Sequence, residues 1–257
     1  MKIPFKKYQA TGNDFVLIDN RSNRYLLTKA QIEKICNRRF GIGADGLMLI
    51  EEHATLDFNL IYYNSDGSQS LCGNGSRAAV AMAATLGLIN NKTCFNAYDG
   101  PHQAELLPTG IVRLKMNPVD TLKKIGSDYF VNTGSPHHIQ FVAHADDVNV
   151  VEAGRKIRYS EAYAPAGVNV NFVELLADNT ILVRTYERGV EDETYSCGTG
   201  VTAAALAASQ HGYTSPVHIK VKGGELEVAF KTGQAGTFDE IYLIGPAKMV
   251  FEGALEL

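Results

Sequence analysis

The sequence has few cysteines, no cluster of basic residues and no long apolar run. Lys and Arg number 24 against 28 Asp and Glu, giving a net charge of -4, and the basic residues are scattered along the chain. Nucleic acids and anionic lipid surfaces attract concentrated positive charge. The longest apolar stretch, residues 78–88, is interrupted by Thr85 and Gly87 and is shorter than the roughly 20 residues of a membrane span. We therefore expect neither nucleic acid nor membrane partners.

The amino terminus lacks the pattern of an export signal. Residues 1–7 read MKIPFKK and are followed by alternating polar and apolar residues, not by a continuous apolar run with a small-residue cleavage site. We therefore expect a cytoplasmic protein. Its 257 residues, of which 45% are hydrophobic and 20% charged, suffice for one large folded domain or two small ones.

The four cysteines show no Cys-x-x-Cys pair and no nearby histidines at zinc-ligand spacing, so we expect no metal site. Taken singly, each cysteine is most simply a small buried residue. Cys36 fits that interpretation, because it falls on a helix predicted from about Lys29 to Arg39, next to Ile35. Thr28 and Gln31 form a capping-box pattern at the start of that helix.

The remaining chain alternates strand-like and helix-like segments, which predicts a mixed α/β, or α+β, fold. Proline at position 118 ends a strand predicted for 111–116, so we place a boundary near Asn117 and divide the chain into residues 1–117 and 118–247. The other predicted strands cover residues 6–9, 15–19, 47–51, 59–63, 168–175, 181–186, 217–221, 225–230 and 240–244.

Two segments look like copies of one unit. Cys72 and Cys197 each begin a Cys-Gly-x-Gly turn, and each turn leads into an alanine-rich helix, predicted for about 74–86 and 199–210. A helix start lowers the pKa of a cysteine there, and its N–H groups can hold a carboxylate. If the two turns face one amino acid, one cysteine can remove the α-proton while the other supplies a proton to the opposite face. A cysteine hydrolase uses one nucleophilic cysteine, so it would not explain the second Cys-Gly-x-Gly turn.

Over nearly its whole length the sequence resembles the diaminopimelate epimerase family. The resemblance is carried, in order, by ATGNDF at 10–15, GIGADG at 41–46, NSDG at 64–67, CGNG at 72–75, GSPH at 134–137, VNV at 168–170, ERG at 187–189, CGTG at 197–200 and the closing GPA at 245–247 with VFEG at 250–253. The resemblance implies two pseudo-symmetric halves, each a curved, mostly antiparallel sheet around a central helix, with residues 248–257 returning to the first half.

The resemblance also implies interconversion of LL- and meso-diaminopimelate, in lysine and peptidoglycan precursor biosynthesis, without a cofactor or metal. Cys72 and Cys197 would be the acid and the base. Main-chain N–H groups would hold the reacting carboxylate, and polar side chains would hold the distal amino-acid head. The N–H groups belong to Gly73, Asn74, Gly198 and Thr199; the side chains are Asn13, Asn64, Asn169, Glu187 and Arg188, with His137 as a positioning residue.

Several alternatives stay open at this stage. Each asparagine taken singly could be a turn residue, Asn64 above all because it precedes Asp66-Gly67. Ser135 and Gly46 stand where many relatives have Asn and Gln, which leaves those contacts undecided. A proline racemase or hydroxyproline epimerase of the same fold is the nearest rival, although such enzymes usually have His at the position of Asn74. A noncatalytic amino-acid-binding protein would not need the thiols, and a homodimer stays open beside a monomer.

Overall fold

The structure is a computed structural model that describes residues 2–256, apart from the side chain of Ala235. The chain forms two compact units. The first contains the described residues up to Leu114 and those from Gly245 onward; the second contains Lys115–Ile244. Within residues 2–256, no helix has both the length and the apolar character that a membrane span requires.

The first unit is built on eight strands, and its outermost strand comes from the end of the chain. Along the sheet the order is β17, then β1 to β7. The strands are β1 (Lys2–Ala10), β2 (Asn13–Asp19), β3 (Gly46–Glu51), β4 (Phe58–Asn64), β5 (Lys92–Ala97), β6 (Gly100–Leu106), β7 (Ile111–Lys115) and β17 (Lys248–Glu256).

The second unit has its own run of strands, ordered β8, β9, β10, β11, β12, β14, β15 and β16, with the short β13 also pairing with β12. The strands are β8 (Leu122–Ile125), β9 (Asp128–Asn132), β10 (Pro136–Phe141), β11 (Asn169–Leu175), β12 (Thr180–Glu187), β13 (Asp192–Thr194), β14 (Val217–Val221), β15 (Gly224–Thr232) and β16 (Phe238–Pro246).

The two units repeat one pairing pattern. Neighbouring strands are antiparallel in both, except for two parallel pairs: β2–β3 and β4–β5 in the first unit, β10–β11 and β12–β14 in the second. A helix connects the strands of every parallel pair, as parallel neighbours require. Strand β17 takes the place in the first unit that β8 has in the second. The expected mixed fold of two similar, mostly antiparallel halves is confirmed.

Four helices make these connections. They are α1 (Lys29–Cys36), α2 (Gly73–Thr85), α3 (Val150–Arg158) and α4 (Gly198–Ala208); two short 3-10 turns, Ser209–His211 and Gln234–Gly236, complete the helical structure of the described chain. Helix α2 packs against β1 to β4 and β6, and α4 packs against β9 to β12, β14 and β15. Nearly every residue of α4 is buried, and alanine predominates there because a larger side chain would separate the helix from its sheet.

Helix α1 begins as predicted but ends earlier. Thr28 and Gln31 form the expected capping box. The helix was expected to reach Arg39 and instead stops at Cys36, because the side chain of Asn37 accepts hydrogen bonds from the N–H groups of Arg39 and Phe40, both at 2.9 Å. That local turn competes with further helical bonds. Cys36 is buried in the core, as predicted.

Several elements are absent from the sequence-based prediction: helix α3 and the strands β5, β6, β8, β9, β10 and β13. Asn149 caps α3 by accepting from the N–H of Glu152, whose carboxylate accepts in turn from the Asn149 amide at 3.0 Å. The Asn-x-x-Glu spacing was therefore a usable signal. Val150 is buried in a cluster with Val168, Val170, Phe172 and Tyr186, which is what fixes α3 against β11 and β12.

Candidate functional site

Cys72 is the N-cap residue of α2. Its backbone is extended, with φ -133° and ψ 110°, and its sulfur accepts a hydrogen bond from the N–H of Gly75 at 3.4 Å. A Cβ at position 75 would meet the flexible end of the Met48 side chain, which shows how closely α2 approaches β3. The close approach of α2 to β3 thus brings the first helical N–H groups to the sulfur, where they favour negative charge.

Asn13 joins Cys72 to the turn between β1 and β2. The Cys72 thiol donates to Asn13 Oδ1 at 3.6 Å, and Asn74 Nδ2 donates to the same oxygen at 3.3 Å. Asn13 Nδ2 donates to Asp45 at 2.6 Å, and Asp45 is in turn bound by Arg38. The carboxylate of Asp45 therefore fixes the Asn13 amide with its oxygen toward Cys72. Three of the predicted site residues, Asn13, Cys72 and Asn74, lie together in the first unit.

Asn64 is engaged differently from Asn13. Its amide donates to Ser68 and Ser70, and the Ser70 hydroxyl donates to Asn64 Oδ1 at 3.3 Å. These bonds close the turn that ends two residues before Cys72. The turn role that the sequence left open for Asn64 is therefore what its hydrogen bonds show, and its contribution to a ligand stays a prediction. Gly46 packs against the ring of Tyr62, and a Cβ there would overlap it.

Cys197 occupies the same position in the second unit, as N-cap of α4. Its backbone angles are nearly the same, φ -119° and ψ 110°, and it is 8% exposed. Its sulfur lies 3.5 Å from the hydroxyl of Thr199 instead of accepting a backbone cap bond. A Cβ on Gly200 would lie 2.5 Å from Asn171 Oδ1 and 3.3 Å from the His137 ring. The second glycine of the turn therefore lets these two buried side chains approach the helix start.

A directed chain of hydrogen bonds leads from the sheet to Cys197. Thr185 donates to Asn171 Oδ1 at 2.9 Å, so the Asn171 amide nitrogen donates to His137 Nδ1 at 3.1 Å. The ring proton of His137 is therefore on Nε2, which donates to Thr199 Oγ1 at 2.9 Å. The Thr199 hydroxyl is left to donate to Cys197 Sγ. The chain thus delivers a hydrogen-bond donor to the sulfur without a net charge.

His137 itself stays neutral. The ring is fully buried, and this burial, together with the positive charge of Arg188, lowers its pKa from 6.5 to about 3. A neutral imidazole can pass a hydrogen bond from one neighbour to the next, and here its two nitrogens have fixed roles. The positioning role expected of His137 has a clear structural route, through Thr199 to Cys197.

Asn169 and Arg188 meet at the ends of β11 and β12. Asn169 Oδ1 accepts from the main-chain N–H of Arg188 at 2.8 Å, while its amide nitrogen donates to Ser135 Oγ and to the carbonyl of Pro136. Asn169 therefore holds the main chain that carries Arg188. Ser135, which departs from the family pattern, serves as one of the anchors of Asn169. The neighbouring Glu187 is partly buried at the same strand end.

The segment after Arg188 is held by a second polar cluster that sequence reasoning missed. Glu191 has a positive φ of 60° and accepts from Arg158, from the hydroxyls of Tyr159 and Tyr186 and from the N–H of Gly189. Burial alone would raise the pKa of Glu191, yet these donors lower it to about 2. Asn171 and Thr185 were missed as well, although each is a polar residue within an apolar strand.

No group of three His, Cys, Asp or Glu side chains arranged to hold a metal ion is found anywhere in residues 2–256. The predicted carboxylate-binding N–H groups, those of Gly73 and Asn74 and of Gly198 and Thr199, are the first in α2 and α4. The first intrahelical bonds come later, from Ser76 to Cys72 at 2.8 Å and from Val201 to Cys197 at 2.9 Å. Each unit therefore presents a cysteine together with a helix start suited to an anion.

The chain is similar to known proteins over nearly its whole length. Residues 5–120 and 129–250 match the family model described as diaminopimelate epimerase. The chain is 50% identical over 250 residues to the diaminopimelate epimerase of Flavobacterium psychrophilum, covering 96% of this chain and 97% of that one. It is 43% identical over 257 residues to the enzyme of the same name from Chlorobaculum tepidum, covering 96% and 98%.

Solved structures with little sequence identity share the fold. A PhzF-family phenazine biosynthesis protein of Bacillus anthracis superposes with a TM-score of 0.78 at 13% identity and full coverage of both chains. A hydroxyproline epimerase from Agrobacterium vitis superposes with a TM-score of 0.71 at 14% identity, covering 99% of this chain and 92% of that one. At such low identity these two similarities establish the fold alone.

Proposed function

Because the chain belongs to the diaminopimelate epimerase family, we propose that it interconverts LL- and meso-diaminopimelate by proton transfer at one α-carbon. The observation that carries the proposal is the repetition of one device. Cys72 and Cys197 are both extended N-cap residues of the core helix of their unit, with matching backbone angles. Binding an amino acid would use the helix N–H groups but not two thiols.

In the proposed reaction one cysteine is a thiolate and removes the α-proton, while the other is a thiol and protonates the opposite face of the carbanion. The protons balance, because each turnover leaves the two cysteines with exchanged protonation states. The substrate carboxylate binds at the helix N–H groups, where positive ends of the peptide dipoles stabilise the charge that develops as the α-proton leaves. No cofactor takes part in the proposed scheme.

The surroundings of each sulfur suit both of its protonation states. The Gly75 N–H donates to the Cys72 sulfur and favours the thiolate, while Asn13 Oδ1 accepts from the thiol. For Cys197 the Thr199 hydroxyl can donate to the thiolate or rotate to accept from the thiol. A residue that alternates between acid and base requires such two-way partners.

The distal amino-acid head of the substrate is assigned to the side chains of Asn13, Asn64, Asn169, Glu187 and Arg188. A guanidinium can bind a carboxylate through two parallel hydrogen bonds, and a carboxylate can pair with an ammonium. Arg188 Nη1 donates to the Ala166 carbonyl at 3.3 Å, and the Arg188 main chain is fixed by Asn169. This clamp separates diaminopimelate from short amino acids such as proline.

The test is turnover of the purified, reduced protein on a set of substrates. We expect interconversion of LL- and meso-diaminopimelate and no reaction with proline, 4-hydroxyproline or glutamate. Chiral chromatography of the products measures the reaction of each substrate. The hydroxyproline epimerase that shares the fold makes 4-hydroxyproline the matched control substrate. Turnover of proline or hydroxyproline in place of diaminopimelate would contradict the proposal and select the rival enzyme class.

A further inference from the structure

Arg77 is a buried positive charge without a carboxylate partner among residues 2–256. It lies on α2, its relative exposure is 0%, and it is the largest fully buried side chain of the described chain. Its Nη2 donates to Thr11 Oγ1 at 3.4 Å, while Nε and Nη1 have no hydrogen-bond partner. A guanidinium normally satisfies its donors with carboxylates or carbonyls when it is buried. The unusual environment of Arg77 requires a reason.

The charge of Arg77 persists at neutral pH. Burial lowers its pKa to about 10, which still leaves the side chain protonated, and the one charged group that acts in the opposite direction is Cys72. A thiolate at Cys72 would therefore be the counter-ion that Arg77 otherwise lacks.

The side chains of Arg77 and Cys72 reach the same turn of the first unit. Side chains on an α-helix point back toward its amino terminus, and Arg77 follows Cys72 by five residues. Both side chains end at the turn between β1 and β2: the guanidinium contacts Thr11, and the Cys72 sulfur contacts Asn13. The guanidinium and the sulfur are thus brought to the same short turn from two levels of one helix.

Within residues 2–256, no carboxylate is hydrogen-bonded to the Arg77 guanidinium. Carboxylates on the packed strands and their adjoining loops have other partners. Asp19 pairs with Arg21, Glu105 with Arg113, Glu252 with Lys6 and Asp99 with His102, and Glu51 accepts a hydrogen bond from the Asn20 amide. Asp14 and Asp45, near the same turn, are bound by Lys7 and Arg38. The packed strands also carry the phenols Tyr8 on β1 and Tyr62 and Tyr63 on β4.

We propose that Arg77 is a positioning residue whose buried charge stabilises the thiolate form of Cys72, the form in which Cys72 acts as the base. The inference rests on the proposed function only in taking Cys72 as one of the two bases. The matching position in the second unit, five residues after Cys197, is the neutral Thr202, whose hydroxyl donates to the Gly198 carbonyl at 2.9 Å. The cation that acts on the buried groups there is Arg188, which is only partly buried and therefore more strongly screened.

The experiment measures alkylation of each cysteine by iodoacetamide from pH 5 to 10, with the modified peptides quantified by mass spectrometry. In Arg77→Met we expect the pKa of the Cys72 thiol to rise by about one unit or more, so that alkylation of Cys72 near neutral pH slows about tenfold. The profile of Cys197 in the same sample is the internal control and should not move. Arg77→Lys retains the charge and should retain most of the Cys72 profile.

The measurement needs no substrate, so its outcome is independent of the substrate assay. An unchanged Cys72 profile in folded Arg77→Met would overturn the proposal, as would equal shifts at Cys72 and Cys197. If Arg77→Met does not fold, Arg77→Gln provides a second neutral replacement. Failure of both neutral variants to fold while Arg77→Lys folds would assign Arg77 to fold stability and also overturn the proposal.

Discussion

The helix starts at Cys72 and Cys197 share their backbone and differ in what surrounds the sulfur. At Cys72 the partners are a main-chain N–H, the amide oxygen of Asn13 and, through the buried interior, the charge of Arg77. At Cys197 the partner is the Thr199 hydroxyl, which ends a neutral chain through His137. The same helix start is thus combined with a buried charge near the sulfur in the first unit and with directed hydrogen bonds to the sulfur in the second.

This difference has a functional consequence. A reaction that runs in both directions needs two sulfurs of comparable acidity, but it does not need them to reach that acidity by the same means. A buried cation acts on the thiolate alone, because it has no favourable interaction with the neutral thiol. A hydroxyl that can donate or accept supports both forms. Variants in the first unit should therefore change the reactivity of Cys72 and variants in the second unit that of Cys197.

The largest effect is expected from removing either sulfur. Cys72→Ala and Cys197→Ala should each lower kcat for diaminopimelate by about 10²–10⁴-fold, the usual contribution of a general acid or base. Cys94→Ala is the matched control, because Cys94 lies on β5 and is assigned no part in the reaction; its kcat should stay near that of the unaltered protein. A large loss at one sulfur with near-normal turnover at the other would contradict the shared roles.

A smaller effect is expected from breaking the neutral chain. Thr199→Val removes the hydroxyl between His137 and Cys197, and loss of one such hydrogen bond, worth about 1.5 kcal/mol when it reaches a charged group, lowers the rate about tenfold. Alkylation of Cys197 should shift to higher pH while that of Cys72 is unchanged. Thr202→Val, on the same helix, removes a hydroxyl that bonds only within the helix and should leave both profiles in place. Equal shifts in the two variants would contradict a role for the hydrogen-bond chain through His137 and Thr199.

These contacts show how far the sequence alone could lead. The two glycine turns and their helices were predicted within one or two residues of the observed Gly73–Thr85 and Gly198–Ala208, because capping and alanine content are local properties. The roles of Asn171 and Thr185 were not predicted. Both lie on strands whose pairing brings position 171 opposite position 185, and that register is a property of the folded sheet.

Helix α3 and the burial of Arg77 were not predicted, for different reasons. The cap of α3 follows a local Asn-x-x-Glu pattern, so the start of this helix is predictable from the sequence. Arg77 carried no local signal of burial, because an arginine in a helix is ordinarily exposed. Only the packing of α2 against the strands of its unit reveals that the guanidinium has no carboxylate partner.

The smallest effect concerns stability against pH, and it again separates the units. In the second unit, His137 has a folded pKa of about 3 and an unfolded value near 6.5, so between these values the unfolded chain binds the extra proton. The free energy of unfolding should therefore fall as pH falls below 6.5, by about 1 kcal/mol per pH unit. Urea unfolding at pH 4.5–7 should show a flatter pH dependence in His137→Asn. An unaltered slope would mean that His137 is not buried in its neutral form.

The corresponding group in the first unit is Asp14. Burial opposes its ionisation, but Arg38 and Lys7 outweigh burial and lower the pKa of Asp14 to about 2. The stability that this carboxylate provides is present above pH 4 and is lost as pH falls from about 4 to 2. Asp14→Asn should therefore leave the slope between pH 4.5 and 7 unchanged, which makes it the matched control for His137→Asn.

The most direct test of the account is the fate of the α-hydrogen in deuterium oxide. LL-diaminopimelate is converted by the reduced protein, and the deuterium at the α-carbon of both isomers is measured before a tenth of the substrate has reacted. Two bases predict deuterium in the newly formed meso isomer and almost none in the remaining LL isomer. The meso isomer is protonated by the second thiol, which carries deuterium from the solvent, whereas return to the LL isomer uses the first sulfur, which carries the hydrogen it has just removed. Equal deuterium in both isomers, or product without deuterium, would contradict the assignment of Cys72 and Cys197 as an acid and base pair.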